Sequence, residues 1–135
     1  MYKNVLIPVA PDHPERLSEQ LKVARALAAE GAKITVVSVI EAVPLYIAAE
    51  VPAVIFEQAQ DEAEEALKEA LKDEGDVTLE VVHGHAPTLI LDKIKDLGAD
   101  LVIVRSHKPD MSDWFLGSTA GRVVRHAPCG VHVIR

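Results

Sequence analysis

Apolar residues fall along this chain in two rhythms: short unbroken runs, and longer stretches in which they return every three or four positions. The runs cover residues 5–10, 34–40, 101–104 and 131–134. Their apolar side chains follow one another instead of alternating, the habit of parallel strands covered on both faces. Residues 77–82 differ, because Thr78 and Glu80 alternate with Val77, Leu79 and Val81, as in an edge strand with one wet face.

The helical rhythm fills the gaps. Leu17, Leu21, Ala24, Leu27 and Ala28 predict a helix with one apolar face that continues until Gly31 stops it. Ala59, Ala63, Ala66, Leu67, Ala70 and Leu71 mark a second over residues 54–72, ended by Gly75, with Glu64 and Lys68 paired at i,i+4. The run Asp61-Glu-Ala-Glu-Glu is the solvated face of that helix. Pro87 suits the first turn of a third, whose inner stripe is Leu89, Ile90, Ile94 and Leu97 and whose cap is Gly98. A fourth covers residues 117–126. Residues 41–52, with Pro44 and Tyr46, keep no period and are read as a loop or an irregular helical lead-in.

Strand and helix therefore alternate from one end to the other. Right-handed crossovers turn that order into an open five-stranded parallel sheet of the α/β class with helices on both faces. At 135 residues the chain is expected to form a single domain, 1–135, with no internal repeat or linker.

Composition narrows the function. A formal charge of −7, from 21 acidic and 14 basic residues, argues against nucleic-acid binding, which demands a basic surface. No apolar run reaches the ~20 residues of a membrane span, and residues 1–8 lead directly into a strand, so a cytoplasmic protein is expected with no membrane partner. Cys129 is the single cysteine, which rules out an intrachain disulfide and a cysteine-built zinc site. His83-Gly-His85 lacks metal-ligand spacing, so no metal site is expected. Gly-x-Ser-x-Gly, Walker-lysine and Gly-x-Gly-x-x-Gly patterns are absent, and no catalytic residue is assigned.

The candidate chemistry lies late in the chain. Gly117-Ser118-Thr119 opens a helix just after a buried strand, where small residues and free N–H groups cradle phosphate or simply cap the helix. His107, beyond the fourth strand, would sit at the carboxyl edge of the sheet beside any bound anion. Arg105 and Lys108 flank it, either pairing with phosphates or serving as surface charges. Met111, Trp114, Phe115 and Leu116 make the following loop unusually apolar.

Read together, these segments resemble the universal stress protein family. The resemblance rests on Asn4-Val-Leu-Ile-Pro-Val, Thr35-Val-Val-Ser-Val, Gly84-His-Ala-Pro, Ala99-Asp-Leu-Val-Ile-Val, Ser106-His107, Leu116-Gly-Ser-Thr-Ala, Val123-Val-Arg-His-Ala and Cys129-Gly-Val-His-Val-Ile-Arg. Ser106-His-Lys-Pro-Asp and Phe115-Leu-Gly-Ser are similar to the F/G-type subgroup. The resemblance implies strand order 3-2-1-4-5, an adenine nucleotide alpha hydrolase-like fold, a homodimer joined through the last strand, and an ATP site with Mg2+ as a companion ion. It places adenine and ribose against Pro8, Val9, Ala10 and Val39, the middle of the nucleotide against Ser106 and His107, and the phosphates at Gly117, Ser118 and Thr119.

Three departures qualify what it implies. Ala10 replaces the family's acidic residue after the first strand, unless Asp12 substitutes from the turn. Arg105 and Lys108 stand where Gly-x-x-Gly would bring the backbone close to phosphate, though F/G-type relatives also lack those glycines. The loop before Gly117 is one residue shorter. A regulatory nucleotide-binding protein is the first expectation, and a nucleotide-independent dimeric interaction protein with a remodelled pocket is the second. Catalysis would amount at most to slow ATP hydrolysis or phosphoryl transfer to Ser118 or Thr119.

Overall fold

Unbroken apolar runs have no wet face to offer, so each must be covered on both sides, and a central sheet between helical layers does this. The computed structural model describes residues 1–41, 49–106 and 116–135. Its strands are β1 (Tyr2–Pro8), β2 (Ala28–Ile40), β3 (Val77–His83), β4 (Leu101–Arg105) and β5 (Gly130–Ile134), all parallel and ordered β3-β2-β1-β4-β5. The helices are α1 (Leu17–Leu27), α2 (Ala53–Ala70), α3 (Ala86–Leu97) and α4 (Ser118–His126), and a 3-10 turn (Pro14–Arg16) leads into α1.

Period-two alternation along the strands divides the interior into two cores. Val5, Ile7, Ile34, Val36, Leu101 and Ile103 pack against Leu17, Leu21 and Ala24 of α1 and Leu67 of α2. Leu6, Val37, Val39, Val102 and Val104 pack on the other face against Ile90 and Ile94 of α3 and Ala120 and Val123 of α4. The helix pairs thus flank the sheet, and the chain changes direction between β1 and β4. Such a switch point leaves a crevice beyond the carboxyl ends of the two strands, because the following connections diverge.

Most boundaries follow the sequence reading. Pro87 occupies the first turn of α3, Gly98 closes it in the left-handed conformation at φ 63°, and Lys68 lies 3.7 Å from Glu64. The first helix is a correction: it stops at Leu27, not Gly31. Ala28 is already extended at φ −77°, ψ 144° and pairs with Tyr2, while the next register pair is Asn4 with Lys33. The extra residues of β2 are taken up in an irregularity containing Gly31 at φ 76°, so the glycine serves a bulge instead of a helix end. The first strand is also shifted, ending at Pro8 instead of Ala10.

Asp100 staples the amino end of this sheet. Its carboxylate accepts the N–H groups of Lys3 and Asn4, each at 2.9 Å, and its own N–H donates to Asn4 O at 2.9 Å. Burial works against the charge, but the two donated N–H groups outweigh it and hold the carboxyl below its ordinary value. A depressed carboxyl stabilises the fold above its unfolded-state pKa of about 3.9 and loses that contribution as pH falls through the lower folded value. Asp100→Ala is therefore expected to cost about 1–3 kcal/mol at neutral pH, with the gap from wild type closing below about pH 4. Urea denaturation across pH checks this, and a gap that does not change with pH would contradict it.

Candidate functional site

The carboxyl ends of β1 and β4 open on a cleft of about 370 Å³, within the range of small-molecule sites. Its apolar wall comes from Val37 and Val39 of β2, Val104 of β4 and Ile90 of α3. Pro8, Val9, Ala10 and Pro11 form the rim after β1, and Thr119 and Ala120 contribute the first turn of α4. Polar lining comes from Arg16, Gln20, Glu41 and Arg105.

Five of the nine residues named from sequence, Pro8, Val9, Ala10, Val39 and Thr119, converge on this cleft. Ser106, Gly117 and Ser118 do not line it. The N–H of Ser106 donates to Ile134 O at 2.8 Å, and Gly117 occupies the N-cap of α4, its carbonyl accepting from Gly121 at 2.7 Å. Ser118 is exposed. His107 lies outside the described residues, as do Lys108 and the apolar stretch from Met111 to Phe115. Asp12 is not a replacement for the missing acid: its side chain is 78 % exposed, lies 3.6 Å from His13 Nε2, and does not line the cleft.

The rim after β1 is fixed before any ligand arrives. The Val9 N–H donates to Val37 O and the Ser38 hydroxyl donates to Val9 O, both at 2.9 Å. Val9 accordingly offers a ligand its side chain and not its N–H. Gln20 is buried among the leucines of α1, and its Nε2 donates to Pro8 O at 2.9 Å and Ile103 O at 3.1 Å. One amide thus holds the ends of β1 and β4 at a set separation.

The charges are arranged asymmetrically. Glu41 accepts the Ala86 N–H at 2.9 Å, so its carboxylate is engaged at the start of α3. Arg105 is ion-paired with Glu19 of α1, with the arginine side chain 29 % exposed. Arg16 makes no ion pair among the described residues. Two guanidinium groups and the first turn of α4 therefore line the cleft together with one carboxylate, that of Glu41, which keeps its charge while it accepts the Ala86 N–H. No group of three or more His, Cys, Asp or Glu suited to a metal forms among the described residues.

Sequence reasoning missed Arg16, Gln20 and Glu41. For Gln20 a signal existed, since it falls on the buried stripe of Leu17, Leu21 and Ala24, where an amide needs partners.

A doubly wound parallel sheet with a crevice at its switch point defines the class of this protein. The universal stress protein family model matches residues 1–135, and the chain belongs to that family. It is similar to universal stress protein G of Escherichia coli O157:H7, at 30 % identity over the full length of both chains. The fold is that of the universal stress protein UspA from Lactobacillus plantarum, at 23 % identity and TM-score 0.76, covering 99 % of this chain and 98 % of that one. A universal stress protein solved in complex with cAMP shares the fold at 20 % identity and TM-score 0.61, covering 99 % and 97 %. Among the described residues, no helix is long and apolar enough to cross a membrane.

Proposed function

We propose that this universal stress protein binds ATP or a related adenine nucleotide in the cleft as a regulatory ligand. The observation that carries the reading is one opening at the switch point with an apolar wall for a base and cationic groups for phosphates. Val39, Val37 and Ile90 would flank adenine. Thr119, Arg16 and Arg105 would meet the phosphates, with Mg2+ accompanying the nucleotide as part of the ligand. The residues present fit such a group, because the chain replaces glycine-mediated backbone approach with guanidinium charge. The relative bound to cAMP supports an adenine nucleotide as the class.

Binding would favour one conformation over another and so act as a signal. The protein would work in the cytoplasm as a homodimer through β5, an edge strand paired only with β4 among the described residues.

Titration with a fluorescent ATP analogue, with mass measured by light scattering on the same samples, tests both parts. Saturable binding by a two-chain species is expected, weakened in Arg16→Gln, which removes one of the cleft's guanidinium groups. Absence of saturable binding at millimolar nucleotide would sink the nucleotide reading. A one-chain mass across micromolar concentrations would remove the dimer.

A further inference from the structure

Arg105 is the residue by which this chain departs most from a glycine-lined phosphate site, and its position is set by strand geometry. Alternation along β4 places it on the same face as Leu101 and Ile103, the face covered by α1. There its guanidinium meets Glu19, one helical residue before Gln20, which ties the same helix to β1 and β4. Arg105 lines the cleft, whereas Glu19 does not and has a side chain 53 % exposed. The carboxylate therefore holds the arginine from behind, outside the ligand space.

We propose that Glu19 is an internal counter-ion for Arg105, and that the pair is an electrostatic latch which an anionic ligand must loosen to bind. This rests on the reading of the cleft as a nucleotide site and names what sets its charge preference. A phosphate entering the cleft competes with Glu19 for the guanidinium. A partly exposed carboxylate is a weak competitor, so the latch lowers affinity modestly and in proportion to ligand charge, without closing the site. Arg16, which has no such partner among the described residues, supplies a constant attraction, while Arg105 supplies the part that Glu19 controls. Glu19 is thus a positioning residue that acts through Arg105.

The test is a double-mutant cycle on ATP affinity by calorimetry, with adenosine as the uncharged comparison. Glu19→Gln is expected to tighten ATP binding about two- to fivefold, as release of a partly exposed ion pair allows, and to change adenosine affinity by less than about 1.5-fold. In an Arg105→Gln background the same substitution should have no effect on ATP. If wild type binds ATP saturably and Glu19→Gln leaves that affinity unchanged, or tightens adenosine equally, the latch is wrong and the nucleotide reading stands. If Glu19→Gln still tightens ATP binding without Arg105, the latch is also wrong. If neither wild type nor Glu19→Gln binds nucleotide, both fall together.

Discussion

Replacing Gln20 with leucine is expected to destabilise the protein by about 2–4 kcal/mol, far more than a same-sized substitution at an exposed helix position. The amide is buried, and its nitrogen donates to Pro8 O and Ile103 O. Each lost donor costs about 1–3 kcal/mol when the carbonyl it served stays out of water, and the extra apolar burial of leucine offsets about 1 kcal/mol of the total. The ends of β1 and β4 also lose the tie that sets their separation, so affinity for a cleft ligand should fall with stability. Urea denaturation gives the first quantity through a shifted midpoint with an unchanged slope. A loss under about 0.5 kcal/mol would mean that water replaces the amide without cost.

The largest expected effect on binding comes from Val39→Trp. Val39 forms the wall of the cleft and is only 7 % exposed. An indole there must either swing into the open cleft or strain the core formed by Leu6, Val37 and Ile90. The open side costs less, so the ring should occupy the space assigned to adenine while the fold persists. Loss of affinity is expected to be at least about a hundredfold, or about 3 kcal/mol. A far-UV spectrum like that of wild type would separate this from unfolding. Affinity within about threefold of wild type would mean that Val39 does not face the ligand.

The sequence carried the framework because burial on two faces leaves a plain trace. Unbroken runs such as 101–104 must be covered by helices on both sides, and the helical stripes between them say which residues do the covering. Local pattern failed where a tertiary pairing overrode it. Ala28 continues the apolar stripe of α1, yet its pairing with Tyr2 draws it into β2, and Gly31 bends the bulge that follows. No periodicity within residues 17–31 contains that information, since the competing partner, Tyr2, lies outside that segment.

The site was legible in its apolar half and obscure in its polar half. Pro8, Val9, Ala10 and Val39 end strands that any parallel sheet would bring together, and they meet at the cleft. Arg16, Gln20 and Glu41 sit on connections and helix starts whose approach depends on packing angles. The orientation of Arg105 was nonetheless available, because alternation from Leu101 and Ile103 sends it toward α1. What sequence could not supply was its partner, since Glu19 reads as one exposed acid among many.

The central claim is that an adenine nucleotide binds at the carboxyl edge of β1 and β4. The most direct measurement is an ATP titration followed through backbone amide resonances of the isotopically labelled protein, in wild type and Val39→Trp. Saturable shifts concentrated at Ala10, Val39, Arg105 and Thr119 are expected in wild type and absent from the variant. Saturable shifts confined to β3 and α2, or none at millimolar ATP, would contradict the claim.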